Sequence, residues 1–576
     1  MISHLVSQHG TVSVTIAPTE TNASLDGEVD EDEVEIIDSP EIAASTRKRK
    51  TLYDIFKPEK KAKKQEAEKP ISQPSSETVN LNMENQETIK DAFCRQESMK
   101  EGNPQWSKIT NGILFMIAKD CLPFRHVENE GFRKLLSITL PNYKPPNRKK
   151  VAELLEEKYE KLKKKMQKIL DKEEFFSLTS DIWTDAFNNK SYLSLTGHYL
   201  DSSSSSIKSV ILGCELLTDK HTGAYLLNVL EGLLADWKIK RTQIICFATD
   251  GDAKICRAAQ DLVGIRKHVW CFAHQLNLVV VESIEQTPEV KVIINKVKSI
   301  VTYIKQTVNA ADLLRELQLK AQVPEAEVLK VKQDIITRWN STLEMLERFD
   351  LLFDHLNTTL IQSNQVEKVM GPEDQALIKS VIEILQPFKE VTTDLCGEKY
   401  ATTSLVIPML WCLNQQLLSI NPTLPPVEQL KTELEVELTS RFHDVEDQRQ
   451  LAISTILDPR FKRFNFENPI AVTNAIAAIK SEMSKIELEK AKEPNVTECE
   501  AKKPEKKKWE KRLKIKYPVL HKVTLKFLPG AGTSVASERL FSKTGNIITS
   551  KRSRLKSSKV PKLLFLSSID ASLWNL

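Results

Sequence analysis

"FFSLTSDIWT", Phe175 to Thr184, is where the periodicity of this 576-residue chain changes. Upstream, Val151, Leu154, Leu155, Tyr159, Leu162, Met166 and Leu170 recur at helical spacing behind Pro145-Pro146. The opposite face of that helix is lysine-rich ("KLKKKMQK"). From Phe175 on, the apolar residues gather in short runs between polar turns. "SYLSLTGHYL" (191–200) alternates, while "SVILGCELL" (209–217) is more continuously apolar. Next come a helix ("TGAYLLNVLEGLLADW"), a buried-looking strand ("QIICFATD"), a helix ("AKICRAAQDLV"), a short strand ("KHVWC") and another helix ("AHQLNLVVVESI"). The order βββαβαβα predicts an α/β mixed sheet, with antiparallel strands first and crossover helices after.

That topology is the one of a ribonuclease-H-like fold. Outward from it, the residues sort into five stretches. Residues 1–88 carry few large apolar groups and read as a disordered arm. Residues 89–173 form an N-terminal helical region and 174–285 the first part of the core. From 286 to 515 the pattern is helical throughout, too long for a loop, which implies a large all-α insertion. Residues 516–576 return to the core with "TSVASERLFSKTG" (533–545) and a final apolar helix.

Net charge is +4, so any nucleic-acid contact must rest on local charge and not on the global balance. Nine cysteines are scattered singly, which suggests a reducing compartment. There is no cysteine before Cys94 and no Cys-x2-Cys followed by a His pair, so no structural zinc finger is expected. Neither a signal peptide nor a bilayer-spanning run is visible, and no membrane partner is expected. In the arm, "VDEDEVEIIDSPE" sets Val34, Ile36 and Ile37 among acids. Such a segment can add as an edge strand to a partner's sheet, and it resembles a SUMO-interacting motif; it also reads as a plain acidic tail. "TRKRK", with Arg47, Lys48, Arg49 and Lys50, reads as a nuclear-localisation signal or a phosphate-binding arm, and so implies the nucleus.

Asp181 and Asp250 close two of the expected strand segments. Carboxylates are the preferred ligands of Mg2+ or Mn2+. Two of them, with a third from a helix crossing the same sheet end, can hold two ions ~3.5–4 Å apart for in-line attack on phosphate. Glu538, returning after the helical insertion, could complete that set. Aspartates at strand ends are also common turn formers, and a Glu-Arg pair on a helix is ordinarily a solvated face.

"LTSDIWTD", "CFATDGDAKICRAA", "WCFAHQLNLVV", "DIITRWNSTLEMLERF", "LAISTILDPRFK" and "LPGAGTSVASERLFSKTGNIITSKRSRLKSSKVPKLLFL" resemble, in order, successive signatures of hAT-family transposases. The upstream "FMIAKDCLPFRHVENEGFRKLL" and "LPNYKPPNRKKV" resemble the branch that contains the BED-finger, or ZBED-type, proteins. The resemblance runs from about residue 90 to the end. It implies a ribonuclease-H-like domain split by a helical insertion, an Asp-Asp-Glu metal site at Asp181, Asp250 and Glu538, and a C-terminal dimerisation region. It implies that Cys271 and His274 hold DNA and shape the site, and that Trp339, between Arg338 and Asn340, stacks on a base. The sequence departs from the family after the second aspartate, where "DGDAK" brings Gly251 and the extra charge of Asp252.

Lys551, Arg552 and Arg554 in "SKRSRLK" could bind phosphates, which gives affinity without specificity. Leu540, Phe541, Leu555, Leu563, Phe565, Leu566 and Trp574 are more apolar surface than so short a segment buries alone. They imply a homodimer or larger, or packing within the chain. Three readings follow: a nuclear, dimeric DNA- or chromatin-associated regulator descended from a transposase, a working two-metal transposase, and an interaction scaffold linked to SUMO.

Overall fold

The computed structural model describes residues 99–185, 189–201, 206–335, 339–397, 402–490, 517–547 and 555–574, all within one compact unit that begins at Met83. The SUMO-type segment (Val34, Ile36, Ile37), the basic cluster Arg47 to Lys50, Arg338, and Lys551, Arg552 and Arg554 lie outside the described residues.

Three helices come first: α1 (Pro104–Lys119), α2 (Glu130–Thr139) and α3 (Arg148–Leu170). The Asn147 side chain starts α3 by accepting the Lys150 N–H at 2.9 Å, satisfying one donor that the helix itself leaves unpaired. The sheet follows: β1 (Phe176–Asp185), β2 (Lys190–Asp201), β3 (Ser206–Leu217), α4 (Gly223–Asp236), β4 (Ile244–Thr249), α5 (Ala253–Val263), β5 (His268–Trp270) and α6 (Phe272–Glu285). Strand order is β3-β2-β1-β4-β5, antiparallel among the first three and parallel from β1 through β4 to β5. This is the ribonuclease-H-like arrangement expected from the sequence. Consecutive residues from Leu193 to Tyr199 are buried on β2, and because side chains alternate along a strand, both faces of the sheet are covered.

The helical block comprises α7 (Pro288–Gln306), α8 (Val308–Lys320), α9 (Trp339–Leu351), α10 (Phe353–Gln362), α11 (Pro372–Leu395), α12 (Val406–Ser419), α13 (Pro425–Phe442), α14 (Arg449–Leu457) and α15 (Pro469–Lys490). It closes on its own core, including Leu346, Ile384 and Phe388. The chain then returns through α16 (Pro518–Phe527), α17 (Val535–Ile547) and α18 (Val560–Ser568). Among the described residues no helix is long and apolar enough to cross a membrane.

The N-terminal helices share one core with the sheet and with α18, so they do not stand as a separate layer. Lys119 Nζ donates to the Ser567 carbonyl (2.6 Å) and Lys158 Nζ to that of Trp574 (2.8 Å), fastening the two ends of the described chain together. Of the two readings of the last helices, a dimer surface or packing within the chain, the described residues show the packing. Leu540, Phe541, Leu563, Phe565, Leu566 and Trp574 are all buried within one chain, and only Leu555 is partly exposed. Phe565 meets Tyr159 edge-on, Trp574 meets Phe115 likewise, and Phe541 stacks on Trp183. Helical periodicity marks these faces as apolar but does not say which surface covers them; α1, α3 and β3 cover α18, and β1 and β2 cover α17.

Candidate active site

Asp181 lies within β1 and not at its end, because that strand continues paired with β2 as far as Asp185. The parallel ladder between β1 and β4 stops at the pair Ser180 and Thr249. Asp181 and Asp250 are therefore the next residues on two neighbouring parallel strands, where β4 ends and β1 loses a neighbour. Asp181 Oδ1 accepts the Ile182 N–H at 2.8 Å, and Asp250 Oδ1 accepts the Asp252 N–H at 3.4 Å.

Glu538 arrives by a different route. The segment before α17, "LPGAGTS" (528–534), threads between the sheet and the helical block. On one side Gly532 N–H donates to Thr402 Oγ1 (2.9 Å) and the Gly530 carbonyl accepts from Thr403 Oγ1 (3.1 Å). On the other, Phe272 N–H donates to the Gly532 carbonyl (3.1 Å) and Ser534 N–H to Cys271 Sγ (3.2 Å). A Cβ on Gly530 would sit 2.5 Å from Thr403 Oγ1, so only glycine lets the strap pass this close. Ser537 Oγ then donates to Thr179 Oγ1 at 3.3 Å. Thr179 and Asp181 face the same side of β1, two residues apart. The contact thus pins the first turn of α17 over that face and brings Glu538 to the acid pair. Arg539 completes the docking by donating to the Cys396 carbonyl at 2.7 Å, just past α11.

The electrostatics record this convergence. Burial pushes the Asp181 carboxyl up to about 8, with the charges of Asp250 and then Glu538 adding to the effect. Burial also raises Asp250, opposed by the Asp252 N–H and by His274. The two aspartates therefore titrate as one interacting pair, with burial favouring the protonated form of each. Among the described residues no three His, Cys, Asp or Glu side chains already form a metal cage. What is assembled is the acid pair, with Glu538 in electrostatic range. The half-buried Asp181 and Asp250, with Glu538 from α17, offer carboxylate oxygens of the kind a hard divalent cation such as Mg2+ or Mn2+ takes, and its arrival would displace the proton that burial favours on Asp181.

Cys271 and His274 take different places. Cys271 is fully buried, its thiol pushed up to about 11 first by burial and then by Glu538, so it shapes the strap and is closed to DNA. His274, half-buried, packs on the turn after β4: a Cβ at Gly251 would lie 2.9 Å from its Nε2. Gly251 is thus what lets the imidazole approach Asp250. Asp252 turns out to be a helix cap, accepting the N–H groups of Lys254 (2.9 Å) and Ile255 (3.3 Å) at the start of α5. An aspartate immediately before "AKICRAA" carries that signal in the sequence, whereas the roles of Thr179, Ser537 and Thr403 depend on long-range docking and have no local signature.

Trp339 does not offer a free stacking face. It is 4% exposed, edge-on to Phe388 at 6.4 Å, with its backbone N–H donating to Asn277 Oδ1 (3.2 Å). Its place at the head of α9, packed over α11, makes it a core aromatic of the helical block in this conformation. Asn340 beside it holds a buried side-chain oxygen with no hydrogen-bond partner.

Comparison with known proteins follows the same outline. A family model described as the ZBED1 RNase-like domain matches residues 179–270, one described as the ZBED1 RNase-like helical domain matches 269–393, and the hAT family C-terminal dimerisation region matches 488–568. The chain is similar to human "Zinc finger BED domain-containing protein 4", 24% identical over 376 residues, covering 64% of this chain and 31% of that protein. It is similar to the maize (Zea mays) "Putative AC transposase", 23% identical over 372 residues, covering 60% and 44%. A third relative is the Talaromyces stipitatus "Putative transcriptional regulator tpeD", 27% identical over 327 residues, covering 50% and 38%. The matches therefore span less than half the length of each of these relatives.

Proposed function

Since this chain belongs to the hAT transposase family, in its ZBED-type branch, we propose that it works as a nuclear, dimeric DNA- or chromatin-associated protein that regulates transcription with a body inherited from a transposase. The observation that carries this reading is burial: Trp339 and Cys271, two residues that the resemblance assigns to DNA at the site, are both covered and present no reading surface. In this reading the basic segments supply phosphate contacts, which bind duplexes without selecting sequence. The match to the hAT dimerisation region supports a homodimer, formed through surface other than the buried apolar residues of α17 and α18.

A second reading is favoured by one observation, the meeting of Asp181, Asp250 and Glu538 at one sheet edge. Mg2+ or Mn2+, when bound there, would supply Lewis-acid stabilisation of charge on a phosphodiester undergoing in-line attack. Asp181 and Asp250 would hold it, with Asp181 giving up its proton to do so. Glu538, fixed through Ser537 and Thr179, would close the set from above. The strap around Gly530 and Gly532 would keep the helical block tied to this edge with DNA in place.

Strand cleavage separates the two. A nicked or hairpin duplex is incubated with the full chain and Mn2+, beside Glu538→Gln, and DNA binding is measured on the same samples. The regulatory reading expects both proteins to bind DNA and neither to cut. Cleavage by the parent that Glu538→Gln abolishes overturns it in favour of the transposase. Failure of both to bind DNA at physiological salt removes both and leaves a protein-interaction scaffold.

A further inference from the structure

Beside the acid pair, a cavity of about 440 Å³ opens between the end of β5 and the junction of α13 and α14. That volume falls within the range of about 300–1,000 Å³ typical of small-molecule sites. It is lined by Trp270, His274, Gln275, Arg441, His443 and Gln448, and Gly251, in the turn after Asp250, forms part of its wall. Trp270 is the last residue of β5 and is 40% exposed, whereas five other tryptophans, Trp106, Trp183, Trp237, Trp339 and Trp574, are buried or packed against the core. One side of its indole is edge-on to His268 at 5.4 Å. Gly251 and His274 belong to the Asp250 turn as well, whereas Trp270, Arg441, His443 and Gln448 take no part in placing the acids.

We infer that this cavity receives one unpaired nucleobase, stacked on Trp270, from a DNA strand lying at the acid site; the inference rests on the DNA-associated reading above. The chemistry favours a base over a phosphate. Arg441, the strongest cation in the wall, is paired with Glu437 at 2.9 Å, and Asp444 adds a negative charge to the same wall, so the cavity offers no net cationic seat. It offers instead a flat aromatic face and a set of amide and imidazole groups, from Gln275, Gln448, His274 and His443, that can meet the polar edge of a base. Stacking on an exposed aromatic is tolerant of base identity. The position explains why the base would come from a strand at the acid site: Gly251 joins the cavity wall directly to Asp250, and His274 faces both. The occupant is therefore a single base out of its stack, flanking the phosphate that lies over Asp181 and Asp250.

The test uses the full chain and a labelled single-stranded oligonucleotide, read by fluorescence anisotropy, together with the same strand made wholly of abasic sites. Trp270→Ala is expected to weaken binding of the base-bearing strand by about 5- to 150-fold, the range of one lost base–aromatic stack, and Trp270→Phe by much less. The abasic strand is expected to bind Trp270→Ala and the parent equally. Glu538→Gln is expected to keep the Trp270 dependence, since the acids do not form the stack. Equal affinity of the parent and Trp270→Ala for the base-bearing strand overturns the inference and leaves the DNA reading standing. Equal loss on the abasic strand also overturns it, by placing the effect on the backbone. If the parent binds no strand at all, the DNA reading and this inference fall together.

Discussion

Replacing Asp181 by asparagine should make the metal-free protein more stable at neutral pH. Asp181 is an acid whose folded value, about 8, lies above its ordinary 3.8. Between those limits the folded chain holds a proton that the unfolded chain releases, so stability falls as pH rises across the window. At pH 7 the gap corresponds to about 4 kcal/mol. Asparagine keeps the shape and the hydrogen-bonding groups while removing the ionisation. It is itself a half-buried polar group, so a net gain on the order of 2 kcal/mol is the expected outcome. Urea unfolding of the parent and Asp181→Asn in EDTA, at several pH values from 4 to 9, reads this directly. The gain should be absent near pH 4, grow to about pH 8 and level off above it. A variant that is equally stable or less stable at pH 7, or a gain that does not change with pH, would refute the electrostatic account of the site.

His268 should act with the opposite sign. Burial holds it neutral and pushes it down to about 4, so stability is lost as pH falls from about 6.5 toward 4, and His268→Gln should flatten that limb of the unfolding profile. Leu566→Ala, in the fully buried face of α18, should cost about 2–5 kcal/mol in unfolding while light scattering gives the parent's oligomer at the same concentration. A dissociated but equally stable variant would return α18 to the dimer interface. Gly251→Ala forces a Cβ to 2.9 Å from His274 Nε2 and should displace that ring, lowering the affinity for DNA without a matching loss of stability. In the arm, Val34→Ala with Ile36→Ala should abolish SUMO binding in a calorimetric titration, and an unchanged signal would dismiss that segment.

Much of this architecture was legible in local periodicity. The switch at Phe175 located β1, and the order of strands and helices that followed fixed the mixed sheet as found. The acids were legible too, though for a partly different reason. Asp181 matters because β4 stops beside it, a property of register that no single strand announces. Asp252, read in the sequence as a disturbing charge, is spent on a helix cap. Trp339, Cys271 and the apolar residues of α17 and α18 have one thing in common. Their residue types suit contact with DNA or a second subunit, yet each is covered by segments far away in sequence. The same distance hid the strap of Gly530 and Gly532 and the Ser537–Thr179 contact, on which the placement of Glu538 depends.

The claim at the centre is that carboxyl groups from β1, the turn after β4 and α17 act on one another. Isotope-edited infrared titration of the Asp181 carboxyl, in metal-free protein, measures this most directly. The account predicts a midpoint near 8 that moves down in Asp250→Asn and moves down, by less, in Glu538→Gln. A midpoint near the ordinary aspartate value of 3.8, unmoved by either substitution, would contradict it.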